Sequence, residues 1–337
     1  MDIVVCGAHV PYMRGGAELH MENLVNALEV AGHRADLVRL PVVWDRKRIL
    51  DAPLAWRLLP IDADVVIATN FPSYFVRHPR KVVWLFHQHR SAYDAVDSPW
   101  SDFGLDPEAL ATQRLLSEWD ARALEEATQI YTTSRVVADR LARFNGVEGA
   151  PLYHPPPLHD RLGPGPFDDY VLCVSRLEAN KRPELLVEGV ASSSGAVRGV
   201  LAGSGSMETA LRATVKRLGA ADRVELLGFV PDDRLVELYR SCLAVVYAPH
   251  DEDYGYGTLQ AFCAGKPVIT ASDSGGVLEW VEDGVTGIVT DGGAAGVASA
   301  IDSLAADREL ARRMGEAGRQ RVENLGWERV VERLLAR

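Results

Sequence analysis

The segment YVLCVSRLEANK spans residues 170–181. Its first five residues form a short apolar run of the kind that makes a buried strand, and an amphipathic helical pattern follows at 182–191. Arg176 and Lys181 stand between the two, five residues apart. The same order of strand, loop and helix recurs on both sides of this segment. The sequence therefore predicts βαβ units and a mainly parallel sheet.

Outward from this segment, the alternation gives two groups of elements separated by a proline-rich stretch. In the second group, strands are predicted at 170–174, 197–202, 224–227, 243–248 and 267–271, and helices at 182–191, 207–218, 232–240 and 258–264. In the first group, strands are predicted at 3–6, 34–40, 64–68, 81–86 and 129–133, and helices at 17–31, 107–127 and 134–144. We therefore expect an α/β protein with two doubly wound, Rossmann-like domains facing a central cleft, where ligands bind at the carboxyl ends of the strands.

The boundary between the groups lies in residues 146–168, which hold six prolines and three successive ones at 155–157. Proline restricts φ and removes a backbone donor, so neither a helix nor a central strand fits there. We predict an N-terminal domain at 1–150 on the acceptor side, a linker at 151–168 and a C-terminal donor domain at 169–310. Residues 311–337 are predicted to form helices that have the N-terminal domain as one available packing surface.

The amino-acid composition argues against some classes of function. The 337 residues are 47% apolar and 25% charged, as in globular proteins, and the net charge is -11. An acidic chain is a poor match for nucleic acid and allows at most peripheral membrane contact. Four scattered cysteines without a C-x-x-C pair indicate buried thiols in a reducing compartment. Since no signal core or ~20-residue apolar run is visible, we expect a cytoplasmic protein.

Two loops of the second domain have residues suited to a phosphorylated sugar. Arg176 and Lys181 would neutralise a diphosphate and the charge that develops on a leaving group. The alternative is a pair of surface cations near a helix start. The second loop contains Glu252, Gly255 and Gly257 before a helix, so its backbone amides and carboxylate would bind an anion or sugar hydroxyls. Its alternative is an ordinary acidic turn.

These motifs, in this order, resemble the retaining glycosyltransferases of the GT-B fold, family 4. That family has an Arg-x4-Lys pair after the first strand of its second domain, matched here by Arg176 and Lys181. It also has a Glu-x7-Glu element followed by Ala-x3-Gly-x-Pro. This chain has Glu252, then Gln260, then AFCAGKP at 261–267. The segments SGGVLE at 274–279 and GVTG at 284–287 fit the same pattern, and the resemblance is dense from 170 to 290.

The resemblance implies a role for each matching position. Arg176 and Lys181 hold the donor diphosphate, and Glu252 contacts donor sugar hydroxyls. Other donor contacts are implied for Val230, Tyr254, Gly255, Tyr256 and Gln260. Val230 lies beside the base, and Gln260 takes the position that usually binds the ribose. Gln260 is a departure, because an amide lacks the charge of the family's glutamate and forms weaker hydrogen bonds. The change is natural or engineered, and it would lower donor affinity or alter the nucleotide preference.

In the first domain, Gly15 and Gly16 open a helix after the first strand, and the resemblance favours phosphate binding there over a simple turn. His87 follows the predicted strand 81–86, at the position of a family histidine that contacts the donor sugar; the alternative is a structural histidine. Arg90 and Asp94 are candidate acceptor contacts. They lie in an acceptor loop predicted at 90–106.

The sequence as a whole predicts transfer of a glycosyl group from a nucleoside-diphosphate sugar to a carbohydrate, lipid-linked or small-molecule hydroxyl. The resemblance implies retention and no need for a metal or other cofactor. The catalytic set is His87, Glu252, Arg176 and Lys181. Two alternatives stay open. One is a sugar-nucleotide epimerase or hydrolase on the same fold. The other is an NAD(P)-dependent oxidoreductase, supported by AGSGSME at 202–208 but lacking the third glycine of its fingerprint.

Overall fold

The structure is a computed structural model and describes residues 1–12, 15–96, 98, 101–104 and 106–336. Within these residues the chain forms two compact units. The first unit comprises residues up to 154 together with 326–336, and the second comprises Pro155–Leu325. No helix in the described part of the chain is both long and apolar enough to cross a membrane.

The first unit is a parallel sheet in the order β2-β1-β3-β4-β5-β6. Its strands are β1 (Asp2–His9), β2 (Arg34–Pro41), β3 (Val65–Ala68), β4 (Lys81–Leu85), β5 (Gln129–Thr132) and the two-residue edge strand β6 (Ala150–Pro151). Its helices are α1 (Gly16–Val30), α2 (Asp51–Leu58), α3 (Pro107–Glu125), α4 (Arg135–Asn145) and α11 (Trp327–Leu335). Every residue of β3 and β4 is buried, as expected for central strands covered on both faces.

The second unit has a parallel sheet of its own in the order β12-β11-β10-β7-β8-β9. Its strands are β7 (Tyr170–Val174), β8 (Arg198–Ala202), β9 (Val224–Gly228), β10 (Ala244–Val246), β11 (Val268–Ala271) and β12 (Gly287–Thr290). Its helices are α5 (Glu184–Ser192), α6 (Glu208–Arg217), α7 (Asp232–Ser241), α8 (Tyr256–Cys263), α9 (Ala294–Ala306) and α10 (Arg308–Val322). The central strand β7 packs Val171 and Cys173 into the hydrophobic core of this unit.

The C-terminal helix α11 packs on the first unit. Val330, Val331 and Leu334 are buried in one core cluster with residues of α1 and β4. The Tyr131 hydroxyl donates a hydrogen bond of 3.0 Å to the carbonyl of Arg333. The preceding helix α10 belongs to the second unit, so the chain leaves that unit between residues 325 and 326.

The prediction of two doubly wound parallel sheets is confirmed. Each predicted strand has a counterpart that agrees within a few residues, whereas α2, α9, β6 and β12 lie where no element was predicted. Residues 152–169 contain no helix or strand. Much of that segment packs on the second unit. The buried ammonium of Lys266 donates to the carbonyls of Gly165 and Pro166 and lies 3.6 Å from the centre of the Phe167 ring.

Candidate active site

Four loops of the second unit meet at one edge of its sheet. They follow β7, β8, β10 and β11, whose carboxyl ends share that edge because the strands are parallel. Backbone hydrogen bonds join them in pairs. The amide of His250 donates to the carbonyl of Asn180 at 2.8 Å, and the amide of Leu177 donates to that of Ser204 at 3.0 Å. The segments chosen from the sequence as donor-binding loops are therefore neighbours.

Lys181 and Glu252 form an ion pair at this edge. The Lys181 ammonium donates to Oε2 of Glu252, and the two side chains are only 14% and 15% exposed. The hydroxyl of Tyr247 lies 3.2 Å from the same oxygen. Burial, together with the Glu252 charge, raises the pKa of Tyr247, so this hydroxyl keeps its proton and donates. The carboxylate of Glu252 is held by two donors from different loops.

The backbone around Glu252 is fixed by the loop after β11. The amides of Asp251 and Glu252 donate to the carbonyls of Asp273 and Ser274 at 2.9 and 3.3 Å, and the amide of Gly276 returns a bond of 2.7 Å to the Glu252 carbonyl. Gly275 has φ 58, and a Cβ there would lie 2.7 Å from the Glu252 carbonyl oxygen. The glycines in SGGVLE therefore allow the close approach that orients Glu252.

The start of α8 is shaped by two glycines and by Tyr247. Gly255 is the N-cap with φ 86, a left-handed conformation that favours glycine. A Cβ on Gly257 would lie 2.8 Å from the Tyr247 ring. The aromatic ring thus packs directly on the first turn of α8, where backbone amides lack intrahelical acceptors and the helix dipole favours an anion.

The glycines of AGSGSME are explained by loop packing. A Cβ on Gly203 would lie 1.9 Å from the Ser175 carbonyl oxygen, and one on Gly205 would lie 2.4 Å from that of Leu177. The Glu178 carboxylate accepts from the amide and hydroxyl of Ser206. This loop supports the segment between Arg176 and Lys181. Its glycines are therefore accounted for without a dinucleotide fingerprint.

Residues 159–321, nearly the whole of the second unit, match the family model of "Glycosyl transferases group 1". The second unit belongs to this family.

The chain is also similar to individual glycosyltransferases. It is 30% identical over 252 residues to the D-inositol 3-phosphate glycosyltransferase of Segniliparus rotundus, an alignment that covers 68% of this chain and 55% of that protein. It is 37% identical over 175 residues to a GDP-mannose-dependent alpha-(1-6)-phosphatidylinositol monomannoside mannosyltransferase of Mycobacterium tuberculosis, over 48% of this chain and 44% of that one. The chain spans about half the length of the curated relatives it matches.

Solved structures show the fold. HepE of Anabaena, crystallised with UDP and glucose, matches with a TM-score of 0.73 at 18% identity and covers 99% of both chains. Sucrose-phosphate synthase of Thermosynechococcus elongatus matches with a TM-score of 0.80 at 19% identity, over 99% of this chain and 97% of that one. The predicted GT-B fold class, with two Rossmann-like α/β domains, is confirmed.

In the second unit, the two cations that were predicted to bind phosphate differ in environment. Lys181 is paired with Glu252, whereas Arg176 is exposed, and its guanidinium has no hydrogen-bond or ion-pair partner among the described residues. Val230 is half-buried and follows Phe229, which is 83% exposed. The amide of Gly203 donates to the carbonyl of Gly228 at 2.8 Å, so the Val230 segment adjoins the loop that supports Arg176. The roles of these residues toward a donor stay predictions.

Gln260 is buried, and both ends of its amide have protein partners. Oε1 accepts from the Tyr239 hydroxyl at 3.0 Å, and Nε2 donates to the Pro157 carbonyl at 3.1 Å. It thereby joins α7, α8 and the proline-rich segment. One N–H and one lone pair are left for any other partner, so the predicted ribose contact would be made beside this structural role.

In the first unit, Gly15 is the N-cap of α1, and its amide donates to Oε2 of Glu18 at 2.9 Å. A carboxylate of the chain itself thus already occupies the amide that was predicted to bind phosphate, while Gly16 begins the helix. Met13 and Arg14, which directly precede these glycines, lie outside the described residues.

The loop after β4 contains the other predicted residues of the first unit. Nδ1 of His87 lies 2.7 Å from the carbonyl of Gln88; if Nδ1 bears the proton it donates there, and Nε2 is left as an acceptor. Arg90 is paired with Asp94, which also pairs with the buried Arg140. The two acceptor candidates therefore contact each other. Of the predicted acceptor loop, Asp97, Pro99, Trp100 and Leu105 lie outside the described residues.

Three residues at the site were missed by sequence reasoning. They are Tyr247, which holds Glu252, and the pair Arg182 and Asp273, which joins the loops after β7 and β11. The glycine at 257 was a signal for Tyr247, because a glycine on a helix start often makes room for a ring. Nothing in the sequence distinguishes Arg182 from other surface cations next to a helix.

Proposed function

We propose that this chain moves a glycosyl group from a nucleoside-diphosphate sugar to a hydroxyl acceptor, with retention at the anomeric carbon and without a metal. The observation that carries the proposal is the Lys181–Glu252 pair at the carboxyl edge of the second sheet. It brings a cation for phosphate and a carboxylate for sugar hydroxyls into contact across 71 residues of sequence.

Arg176 and Lys181 bind the donor diphosphate in this proposal. Arg176 is exposed and has a guanidinium fork suited to phosphate oxygens. The first turn of α8, with the amides at Tyr254, Gly255 and Tyr256, adds a helix N-terminus that favours negative charge. Together these groups take the role that a divalent cation plays in metal-dependent sugar transfer.

Glu252 accepts hydrogen bonds from donor sugar hydroxyls, and its loop is fixed by the backbone of 273–276. Val230 lies beside the base, and Gln260 reaches the ribose with the capacity it has left. In the first unit, His87 contacts the donor sugar near the reaction centre, and Gly15 and Gly16 face its phosphate. Arg90 and Asp94 bind the acceptor.

The reaction breaks the bond between the anomeric carbon and the leaving phosphate oxygen. The acceptor oxygen attacks from the same face through an oxocarbenium-like state, and its proton passes to the leaving phosphate. The products are a glycoside and a nucleoside diphosphate. Lys181 and Arg176 stabilise the charge that builds up on the leaving group, which is where fixed cations lower a barrier most.

The partners in this proposal are a sugar nucleotide and a carbohydrate, lipid-linked or small-molecule acceptor. Inositol phosphate and phosphatidylinositol glycosides are the acceptors to test first, because these compounds appear in the names of the two relatives described above. We further propose a cytoplasmic location with at most peripheral membrane contact. It is supported by four cysteines that are all free thiols.

A donor panel tests the proposal. The chain is incubated with UDP-, GDP- and ADP-sugars and each acceptor, and products are separated by mass. A glycoside with one equivalent of nucleoside diphosphate supports transfer. An isomerised sugar nucleotide, free sugar without glycoside, or a change in nicotinamide absorbance with NAD(P) would instead support epimerase, hydrolase or oxidoreductase activity.

Variants of the two cations test the site. We expect Lys181→Ala and Arg176→Ala each to lower transfer at least about tenfold, because each removes a charge that stabilises the leaving group. Arg217→Ala, which removes an exposed cation at the end of α6, is the matched control and should transfer at the wild-type rate. Wild-type rates in both site variants would remove the diphosphate assignment.

A further inference from the structure

Arg182 has an unusual backbone for its residue type. It ends the short 3-10 turn Ala179–Lys181 with φ 48 and ψ 47, in the left-handed region that side chains with a Cβ rarely adopt. This conformation is strained for a residue with a Cβ, and it persists only where other contacts compensate. Arg182 directly follows Lys181 of the candidate site.

The compensating contacts are made by its guanidinium, which is largely buried. Nε donates to the Ala248 carbonyl at 2.7 Å and Nη2 donates to the Pro249 carbonyl at 3.1 Å. Nη1 and Nη2 also donate to the two oxygens of Asp273 at 3.0 and 2.6 Å. We call these four residues the Arg182 clamp. It uses the planar fork of arginine on three separate partners.

The electrostatics of the clamp favour its charged form. Burial opposes the charge on Asp273, but hydrogen bonds from Arg182 and from His250, whose Nδ1 lies 3.2 Å away, outweigh it and lower the pKa of Asp273. Asp273 is therefore ionised at neutral pH. A lysine at position 182 has one nitrogen instead of three, so it cannot reach both carbonyls and both carboxylate oxygens at once.

The Arg182 clamp links the loop that carries Lys181 to the loop that carries Glu252. Ala248 and Pro249 lead into the loop that carries Glu252, and the carbonyl of Asp273 accepts the amide of Asp251. On the other side, Arg182 continues the turn that carries Lys181. Arg182 thus helps to fix the separation between the Lys181 ammonium and the Glu252 carboxylate from outside the pair, together with the backbone bond between His250 and Asn180.

We propose that Arg182 is a positioning residue for sugar transfer, holding Lys181 and Glu252 in the geometry that the reaction requires. This inference rests on the proposed function. Arg182 does not act on the donor itself. Its effect on the rate comes through the two loops, and a displacement of about 1 Å in such groups can cost up to about a hundredfold in rate.

The first test measures the loops directly. Hydrogen exchange is followed in Arg182→Gly, Arg182→Lys and the control Arg217→Ala. The glycine variant removes the clamp and also the cost of the left-handed backbone, so it should stay folded. We expect faster exchange of the amides of His250, Asp251 and Glu252 in both Arg182 variants, and wild-type exchange in the control. Unchanged exchange in both would overturn the clamp.

The second test measures turnover of the same folded proteins with saturating donor. We expect kcat to fall at least about tenfold in Arg182→Gly and Arg182→Lys, with the donor KM changed less than about threefold, because mobile groups still reach the ground-state phosphates but lose the transition-state geometry. Millimolar guanidinium should restore part of kcat in Arg182→Gly, whereas ammonium should not. A purely stabilising residue would change the folded fraction and leave kcat per folded molecule at the wild-type value.

The outcomes separate the inference from the function on which it rests. Faster exchange with unchanged kcat would overturn the positioning role and leave the transferase proposal standing. A wild-type chain that transfers sugar from no donor would refute the proposed function and the positioning role with it. In that case the exchange measurement would still show whether the clamp joins the two loops.

Discussion

Replacing Gln260 by glutamate restores the family's second acidic residue, and we expect it to destabilise the second unit. Gln260 is 7% exposed, its Oε1 accepts from the Tyr239 hydroxyl, and its Nε2 donates to the Pro157 carbonyl. A carboxylate in this place keeps the first bond. It loses the second and turns an oxygen lone pair toward the Pro157 oxygen, 3.1 Å from the present nitrogen.

The size of the loss has a lower and an upper bound. Loss of a buried hydrogen bond with its acceptor left unsatisfied costs about 1–3 kcal/mol. The introduced carboxyl can escape a larger cost by taking up a proton and donating to Pro157. With an ordinary pKa of about 4.3, protonation at pH 7.5 costs about 4 kcal/mol. We therefore expect a loss of about 1–4 kcal/mol at pH 7.5.

The loss of stability in Gln260→Glu should depend on pH, in a direction that follows from the pKa of the introduced carboxyl. Burial and the Pro157 carbonyl raise the folded-state pKa of the introduced carboxyl above its unfolded value. The destabilisation is therefore full at high pH and shrinks as the pH falls toward about 4.3, so at pH 5.5 the upper bound is only about 1.6 kcal/mol.

Pulse proteolysis across a urea series measures the second unit, with Gln320→Glu on the exposed face of α10 as the matched control. The control should change stability by less than about 0.5 kcal/mol at both pH values. If Gln260→Glu were as stable as the wild type at pH 7.5 and bound nucleoside diphosphate more tightly, the structural role would be refuted and the ribose role supported.

Two further predictions concern stability. Gly203→Ala places a Cβ 1.9 Å from the Ser175 carbonyl oxygen and should cost the second unit more than about 3 kcal/mol, whereas Gly219→Ala, with φ 64 and open space around it, should cost about 1 kcal/mol in the same urea series. In the first unit, burial lowers the pKa of His89 to about 4, of His154 to about 3, and of His20 well below 6.5, so the unfolded chain takes up three more protons as the pH falls below about 6.5. Burial raises the pKa of Asp120 to about 7, so its proton opposes one of these. The stability of the first unit should therefore fall with acidification by up to about 2.7 kcal/mol per pH unit between pH 6.5 and 4.5, and more steeply in Asp120→Asn; a urea midpoint independent of pH in that range would contradict this.

The fold was predictable because its strands are short, apolar and regularly spaced. The run at 170–174 is buried in the sheet as expected, and both sheets follow from the same pattern. Two of the exceptions, α2 and β12, have local reasons. Helix α2 contains Pro53 and only eight residues, and β12 is four residues long and begins at a glycine that ends a turn. Such segments are too short for periodicity to identify.

The site residues that belong to a local sequence motif were predictable. The contacts between residues far apart in the sequence were not. Arg176, Lys181 and Glu252 were selected from their motifs. The contact between Lys181 and Glu252 and the hydrogen bonds of Gln260 to Tyr239 and Pro157 join positions whose proximity no local pattern reveals. Gly15 differs from these cases, because its amide is taken by Glu18, three residues away, at the local spacing of a capping box.

Three glycines of the second unit show that residues placed as in a phosphate-binding motif can have a packing role instead. Gly203, Gly205 and Gly275 follow strands, as glycines of phosphate-binding loops do, yet each is required because another loop's carbonyl oxygen lies within 2.7 Å of its missing Cβ. Their contribution is to let the strand-end loops pack backbone to backbone. Loops packed in this way cannot move independently, and the side chains they present, Lys181 and Glu252, inherit that rigidity. A glycine-rich loop in this fold is therefore evidence of a rigid site first, and of a ligand only through the side chains that the rigidity places.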